Sequence, residues 1–423
     1  MIIPLTQLEL FQLVSHFEEK EGTLFLYSGK EGPAYLALFP RKVIHVTGGN
    51  HPWESLKKQF PPLSGRSEPE WIGFFNYEMG AFVDPEKEIS TPYPPEAYLQ
   101  KSAVLLTYDP FTETAQISLD CADPRIGCLR DPDEWLRLAK QGKPFPHPAQ
   151  GTLRVLESKA SYLQKINAIQ EKISAGEVYQ VSLSQAFHVE NCAPPYPFFC
   201  KLMEINPVPF AAYLRLKDRV IISASPERLL AYREGILETN PIKGTIPRGK
   251  TPQEDEQHKQ ALLTSQKNRA ELLMIVDLLR NDLGKISLSG SVNTSQLQEI
   301  IAYPHLYHTQ ATIKATPQPH LSPIDLLKSC FPGGSITGCP KLSALQIIAD
   351  LEKRARKSYT GTIGYFKGNG DFDWNVAIRT IEVEGNRALI QLGGAIVSDS
   401  DPEEEYEETL IKGKPLFAAM GVG

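Results

Sequence analysis

What the chain lacks narrows the field first. Its six cysteines, Cys121, Cys128, Cys192, Cys200, Cys330 and Cys339, include no C-x-x-C pair and are few for 423 residues. A thiolate metal knuckle or a disulfide framework therefore has no basis, and reduced thiols in a cytoplasmic setting are expected. No Lys/Arg run occurs and the formal net charge is -6, which argues against nucleic acid or an anionic membrane surface as partner. The longest apolar stretches, such as Leu272 to Leu279, are broken by charges like Asp277 and are far too short to span a bilayer. The start, Met1-Ile2-Ile3-Pro4, has no basic region of the kind that opens a signal peptide, so export is not expected. There is no internal repeat and no low-complexity tract. What remains is a chain with 41% hydrophobic and 22% charged residues, enough to bury a large core.

The stretch from Asp131 to Pro148 is polar and then proline-rich, and it reads as a seam that breaks regular structure. We place a boundary near residue 150, dividing an N-terminal segment, 1–150, from a C-terminal region, 151–423. In the first, Leu24 to Tyr27, Ile72 to Tyr77 and Val104 to Tyr108 read as strands between Gly and Pro clusters. Three helices matter in the second. One is expected to start near Ser161, with a capping box to Gln164, to carry Tyr162, Ile166, Ile169 and Ile173 on one face, and to stop at Gly176. In the strand expected to follow, Tyr179, Val181 and Leu183 face one way and Gln180, Ser182 and Ser184 the other, so one face is polar and suited to lining a cavity. The next helix spans about Ser265 to Asp282 and ends at Gly284. It is apolar on nearly every side around Leu272 to Leu279, which predicts deep packing and makes Glu271 conspicuous. The last begins at Asp401-Pro402 and places Glu405, Glu408 and Lys412 on one stripe.

On spacing alone these features have ordinary explanations. The glycine-rich segment Phe331 to Lys341 departs from the Walker pattern because Cys339 and Pro340 stand between the last glycine and the lysine, and a tight loop before a helix is its default. Glu405, Glu408 and Lys412 would by default form a solvated face. Lys243, between Pro241-Ile242 and Gly244, would be an exposed loop lysine. Glu271 fits less easily: a carboxylate on an apolar helix needs a partner, and a second carboxylate from another helix would make a hard-cation site.

Taken together and in order, the segments change these defaults. Val178 to Gln185, Ser225-Pro-Glu-Arg228, Pro241 to Thr245, Ala270-Glu271, Ile275 to Gly284, Phe331 to Lys341, Tyr359-Thr-Gly361, Ile378-Arg-Thr380, Gly393-Gly394, Asp399 to Pro402 and Glu405 to Thr409 resemble the chorismate-utilising family. That family contains anthranilate synthase component I, aminodeoxychorismate synthase component I, isochorismate synthases and salicylate synthases, and the resemblance runs over roughly residues 158 to 416. It implies an α+β fold in which two large antiparallel β-sheets pack as a sandwich with helices on the outside, with the site in a cleft between the sheets. It also implies that Glu271 and Glu408 bind Mg2+, which grips the ring carboxylate of chorismate. Without the cation the two would face each other and the substrate unneutralised. Tyr359 and Arg379 match residues that hold the enolpyruvyl carboxylate, a role suited to the arginine fork. Thr337, Gly393, Gly394, Lys412, Gln180 and His305 match further substrate contacts, and Glu227 matches a proposed general acid whose pKa must be raised.

Two positions select among the family's chemistries. The water-adding members carry a lysine base where this chain has Gln180, which cannot act as one. Anthranilate synthases usually have alanine where this chain has Lys243. A lysine there resembles the aminodeoxychorismate branch, in which it is proposed to attack C2 and expel the 4-hydroxyl before ammonia displaces it from C4; it must be neutral to react. No cysteine has a nucleophile-elbow context, so ammonia is expected from a separate glutaminase subunit or from solution. The alternative is anthranilate formation, amination at C2 with loss of pyruvate. A non-catalytic chorismate-binding subunit would be expected to lack Lys243, Glu227 or a metal glutamate, and all are present. Departures from the family pattern are Asn268 for an acidic residue, Ala395 for a glycine, Gln346 for a glutamate, and Tyr27 for the glutamate of a tryptophan-sensing motif.

Overall fold

The computed structural model describes residues 1–84, 86, 89, 91–142, 151–192, 194–303 and 306–422. Among these, twenty strands join in one hydrogen-bonded network, and every pairing is antiparallel.

The network folds into two sheets that share one long antiparallel strand pair, Ala34–Thr47 with Glu96–Asp109. From it the first sheet continues through Leu24–Tyr27, Phe210–Arg215, Val220–Ser225, Thr380–Glu384 and Arg387–Ile396 to Gln180–Glu190. The second leaves the other part of Glu96–Asp109 and runs through Pro69–Phe75, Thr362–Lys367, Phe372–Asn375, Arg228–Arg233 and Ile236–Asn240 to Leu306–Ala315. Ile242–Pro247 and Asn293–Ala302 complete it, each pairing with Leu306–Ala315.

Apolar residues of both sheets meet in the middle. Leu24, Leu26, Ala212, Leu214 and Ile221 from one pack with Ile72, Phe74 and Ile363 from the other. The outer face of the first sheet is covered by helices including Pro195–Ile205 and Pro402–Ala419, and that of the second by Pro52–Gln59, Gln266–Gly284 and Pro323–Cys330. Helices Lys159–Ser174 and Lys341–Glu352 close the end where Gln180–Glu190 meets Arg387–Ile396. This is the sandwich with external helices that the resemblance implies. No helix among the described residues is long and apolar enough to cross a membrane.

Several local expectations need correction. The first of the three helices is Lys159–Ser174, capped by Ser158, whose side chain accepts from Ser161 N. Ser161 lies inside it and its hydroxyl donates to Glu157, so the cap sits three residues earlier than the pattern indicated. Tyr179 precedes the strand and is 68% exposed, so it does not share the inward face of Val181 and Leu183. Tyr77 leaves its strand for a short 3-10 turn. Asp131, expected to begin a seam, instead caps a helix, Pro132–Lys140, whose Trp135 and Ala139 are buried; residues 143–150, with the remaining prolines, lie outside the described residues. Helix Gln266–Gly284 begins where expected, with Ser265 as its cap, but it is not packed on all sides. Leu273 is 38% exposed, and Asp277 and Arg280 pair on the open face, so the helix buries one stripe against the sheet and Glu271 is only half-buried.

Leu214 is fully buried between the sheets, so Leu214→Ala should lower unfolding free energy by about 2–5 kcal/mol, whereas Leu8→Ala at an exposed position should change it by less than about 0.5 kcal/mol. Denaturant titration of the two variants checks this, and equal losses would count against an inter-sheet core.

Candidate active site

The site is assembled where the chain twice crosses from one sheet to the other. The first crossing, from Val220–Ser225 to Arg228–Arg233, carries Glu227; the second, from Phe372–Asn375 to Thr380–Glu384, carries Arg379. The crossings are bonded to each other: Ser225 Oγ donates to Val376 O (2.6 Å), Val376 N to Glu227 O (2.9 Å) and Ala224 N to Arg379 O (3.1 Å). Arg379 holds a positive φ of 51°, a left-handed conformation that non-glycine residues rarely adopt.

Glu227 is 4% exposed, and burial pushes its carboxyl up to about 7. Ser335 Oγ donates to its Oε1 (2.5 Å), and the Lys243 charge also acts to lower it. Lys243 lies on Ile242–Pro247, opposite Thr309, with its Nζ 3.5 Å from Glu271 Oε2. Its backbone carbonyl accepts from the Thr309 hydroxyl. At Gly244, φ is 75° and a Cβ would press on Leu262 and Asn268, so the turn after the lysine is held tightly against helix Gln266–Gly284.

The first sheet and helix Pro402–Ala419 supply the opposite wall. Lys412 Nζ pairs with Glu408 Oε1 (2.6 Å) and donates to Gly393 O (3.1 Å). The Glu408 carboxylate is held below its ordinary range, first by Lys412, with the charges of Lys243 and Lys267 adding to the effect. Glu405, expected on a solvated stripe, is buried; burial and then the Glu408 charge raise its carboxyl, while Ser400 Oγ donates to Oε1 (2.7 Å). The helix is tied to the sheet by Gln185 Nε2 donating to Thr409 Oγ1 (2.6 Å). The two glycines have distinct reasons. A Cβ on Gly393 would lie 2.5 Å from Leu183 O and 3.0 Å from the Tyr359 hydroxyl. A Cβ on Gly394 would point into the space beside Glu405 Oε2 (3.2 Å), Lys412 Nζ (3.9 Å) and Glu408 Oε1 (4.0 Å).

Glu227, Lys243, Glu271, Glu408, Lys412, Gly393, Gly394 and Tyr359 are thus joined by contacts or mutual charge. Burial lowers the pKa of Arg379, and among the described residues its guanidinium has no carboxylate partner, which leaves it suited to an external anion. Tyr359 is buried, and burial raises its phenol to about 12, so the hydroxyl stays protonated and can donate. Gln180 is fully buried, and among the described residues neither its amide oxygen nor its amide nitrogen has a partner, an arrangement native interiors rarely leave. Thr337 is buried in the glycine-rich loop, its hydroxyl donating to Gly333 O (2.9 Å). His305 lies outside the described residues.

Two site residues escaped sequence reasoning. Ser335 was inside a recognised loop, but nothing in the loop pattern ties it to Glu227. His308 sits opposite Thr245, and its Nδ1 lies 2.8 Å from Thr245 Oγ1 and 3.2 Å from Gly244 O. Burial, reinforced by the Arg379 charge, pulls its pKa down to about 3, so the imidazole is neutral. One expectation also fails: Glu271 and Glu408 do not face each other unneutralised, because Lys243 and Lys412 each supply a counter-charge.

The donor set fits a small hard cation. The space that a Gly394 Cβ would enter is bordered by carboxylate oxygens of Glu405 and Glu408 beside the Lys412 amine, Glu271 is linked to Glu408 through the Lys243 charge that acts on both, and magnesium characteristically takes one or two carboxylates and completes its shell with water and substrate oxygens. Among the described residues no three His, Cys, Asp or Glu side chains form a ready-made cage.

The comparisons with known proteins agree with this geometry. The profile of the family described as chorismate binding enzyme matches residues 21–418, and the chain belongs to that family. The chain is 35% identical over 378 residues to "Aminodeoxychorismate synthase" of Streptomyces griseus, a match covering 86% of this chain and 52% of that one. It is 34% identical over 373 residues to "Aminodeoxychorismate synthase component 1" of Bacillus subtilis, covering 86% and 78%. The chain thus spans about half the length of the Streptomyces relative. Among solved structures, anthranilate synthase component I from Streptococcus pneumoniae superposes with a TM-score of 0.77 at 26% identity, covering 92% of this chain and 93% of that one.

Gly394→Ala should weaken divalent-cation binding roughly tenfold or more while leaving the melting temperature little changed, because the added methyl enters space bounded by side chains and not by backbone. Titration calorimetry with MgCl2 reads it; wild-type affinity in the variant would separate that space from the cation.

Proposed function

We propose that this chain aminates chorismate at C4, giving 4-amino-4-deoxychorismate for p-aminobenzoate and folate synthesis, with ammonia supplied by a separate glutaminase subunit. The observation that carries the reading is the place of Lys243, 3.5 Å from Glu271 and close enough to Glu227 for its charge to act there. A primary amine between a cation carboxylate and a protonatable carboxyl is what a two-step displacement requires. Residues 151–423 are the chorismate-binding region, residues 1–150 contribute strands to the same body, and the setting is cytoplasmic.

Glu271 and Glu408 would hold Mg2+, which supplies charge neutralisation and electron withdrawal at the ring carboxylate. Arg379 and Tyr359 bind the enolpyruvyl carboxylate, while Thr337, Gly393, Gly394, Lys412, Gln180 and His305 complete the substrate's surroundings. Once the Lys243 ammonium has given a proton to solvent, its amine attacks C2, both ring double bonds shift toward C4, and the 4-hydroxyl departs as water with the proton of Glu227. Ammonia then adds at C4, both double bonds return, and the lysine amine leaves C2; the C4 ammonium sheds a proton that restores the Glu227 acid. Both displacements conserve the enolpyruvyl group, so no pyruvate is released. Anthranilate formation is the second reading, favoured by the structural similarity to an anthranilate synthase component I and opposed by a lysine where that chemistry needs room at C2.

Product analysis tests the reading. With chorismate, MgCl2 and ammonium chloride the wild type should yield 4-amino-4-deoxychorismate, and release of anthranilate and pyruvate would overturn the assignment. Lys243→Ala should lose most 4-amination while still binding chorismate and the cation, with some C2-aminated product; unimpaired 4-amination would remove the covalent step. Excess chelator should stop turnover, and glutamine should replace ammonium only when a glutaminase is added.

The acid role of Glu227 gives a pH signature. A group that must be protonated to act, and whose pKa is raised to about 7, makes kcat/KM fall as pH rises through about 7. Glu227→Gln should lower kcat by roughly 10²–10⁴-fold and abolish that alkaline limb. A limb that persists in the variant would assign it to another group.

A further inference from the structure

Behind the substrate wall lies a charged side chain that none of the proposed roles uses. Arg356 is 1% exposed, and all five of its guanidinium N–H donors have acceptors. Nε donates to Glu352 Oε2 (2.9 Å); one terminal nitrogen donates to Glu352 Oε1 (2.7 Å) and Ser182 O (2.8 Å); the other to Ile336 O (3.0 Å) and Thr360 Oγ1 (3.3 Å). The acceptors come from separate parts of the site. Ile336 immediately precedes Thr337, Ser182 stands two residues after Gln180, and Thr360 follows Tyr359, whose ring centre is 5.9 Å from the guanidinium carbon. Ser182 N in turn donates to Thr337 O (2.7 Å). The arginine backbone is fixed as well, its N–H donating to Glu78 Oε1 (2.8 Å) and its carbonyl accepting from Gln391 Nε2 (2.7 Å).

We propose that Arg356 is a positioning residue for the substrate wall: one guanidinium holds the Thr337 loop, the Gln180 strand and the Tyr359 turn at fixed separations, and so sets how tightly the substrate is held. Stability alone is a poor account of this arrangement, because a buried ion pair is on average no better for stability than apolar side chains of similar volume. A lysine has three donors from a single point and cannot span a carboxylate, two carbonyls and a hydroxyl lying in different directions. Three groups proposed to contact substrate therefore depend on a side chain that does not touch it. That the substrate is chorismate rests on the proposed function; the positioning itself does not.

The test compares wild type with Arg356→Lys and, in case that variant does not fold, with Thr360→Val, which removes one of the five acceptors. Amide hydrogen exchange of the folded proteins is read by mass spectrometry on peptides covering 333–341, with peptides from 24–27 and 210–215 as controls. Exchange in 333–341 should rise at least tenfold while the controls stay unchanged, and in Arg356→Lys the KM for chorismate should rise roughly 100-fold, as for a misplacement of about 1 Å, with the KM for ammonium unaltered. Wild-type exchange in 333–341 in the variants that fold, even with a lowered melting temperature, would overturn the proposal. If the chain did not turn over chorismate at all, the exchange result would still decide the positioning role.

Discussion

A carboxylate drawn toward a cleft is answered by a counter-charge or by a proton, and the arrangement of the site follows from which answer each one receives. Glu271 and Glu408 approach a common space from helices packed on different sheets. Each is matched by a lysine from a different element, Lys243 on a strand and Lys412 one turn further along its own helix. Neither carboxylate is fully withdrawn from water, the Glu408 side chain being 53% exposed, so each pairing is a modest balance of charge. The pairing lets the walls come together, and it also brings an amine to the position where the proposed chemistry needs one. The same reasoning separates Glu227 from these two. With a hydroxyl as its hydrogen-bond partner and a lysine only nearby, its burial is answered by retaining a proton.

The small residues are the other half of the design. Gly393 lets a strand approach Leu183 O and the Tyr359 hydroxyl, and Gly394 keeps open the space among three charged side chains. Their position is fixed by the ladder between Gln180–Glu190 and Arg387–Ile396, where Gly393 pairs with Ser184 and Gly394 with Leu183. Register thus converts two residues without side chains into a defined opening beside the polar face of Gln180 and Ser182.

Much of this was legible in the sequence because its signals are local. The apolar pattern and the closing glycine of Gln266–Gly284 marked that helix, and Asp401-Pro402 marked the start of another. Local signals also explain the errors. Ser158 and Ser161 both suit an N-cap, and only the backbone decides between them. Leu272 to Leu279 looked uniformly apolar, yet a helix laid on a sheet buries one stripe and leaves Leu273 outside. His308 and Ser335 owe their roles to partners 63 and 108 positions away, and the Lys243 counter-charge joins a strand to a helix. No periodicity encodes such contacts. The ordered family motifs named candidate site residues, but not which neighbours would neutralise them.

The two crossings that carry Glu227 and Arg379 have a kinematic consequence. The sheets are joined both by their common strand pair and by these bonded crossings, so a displacement of one sheet relative to the other would strain the crossings as well as the pair. Glu227 and Arg379 therefore sit on backbone tied to both sheets at once, and a change in the packing of either sheet reaches the two side chains together.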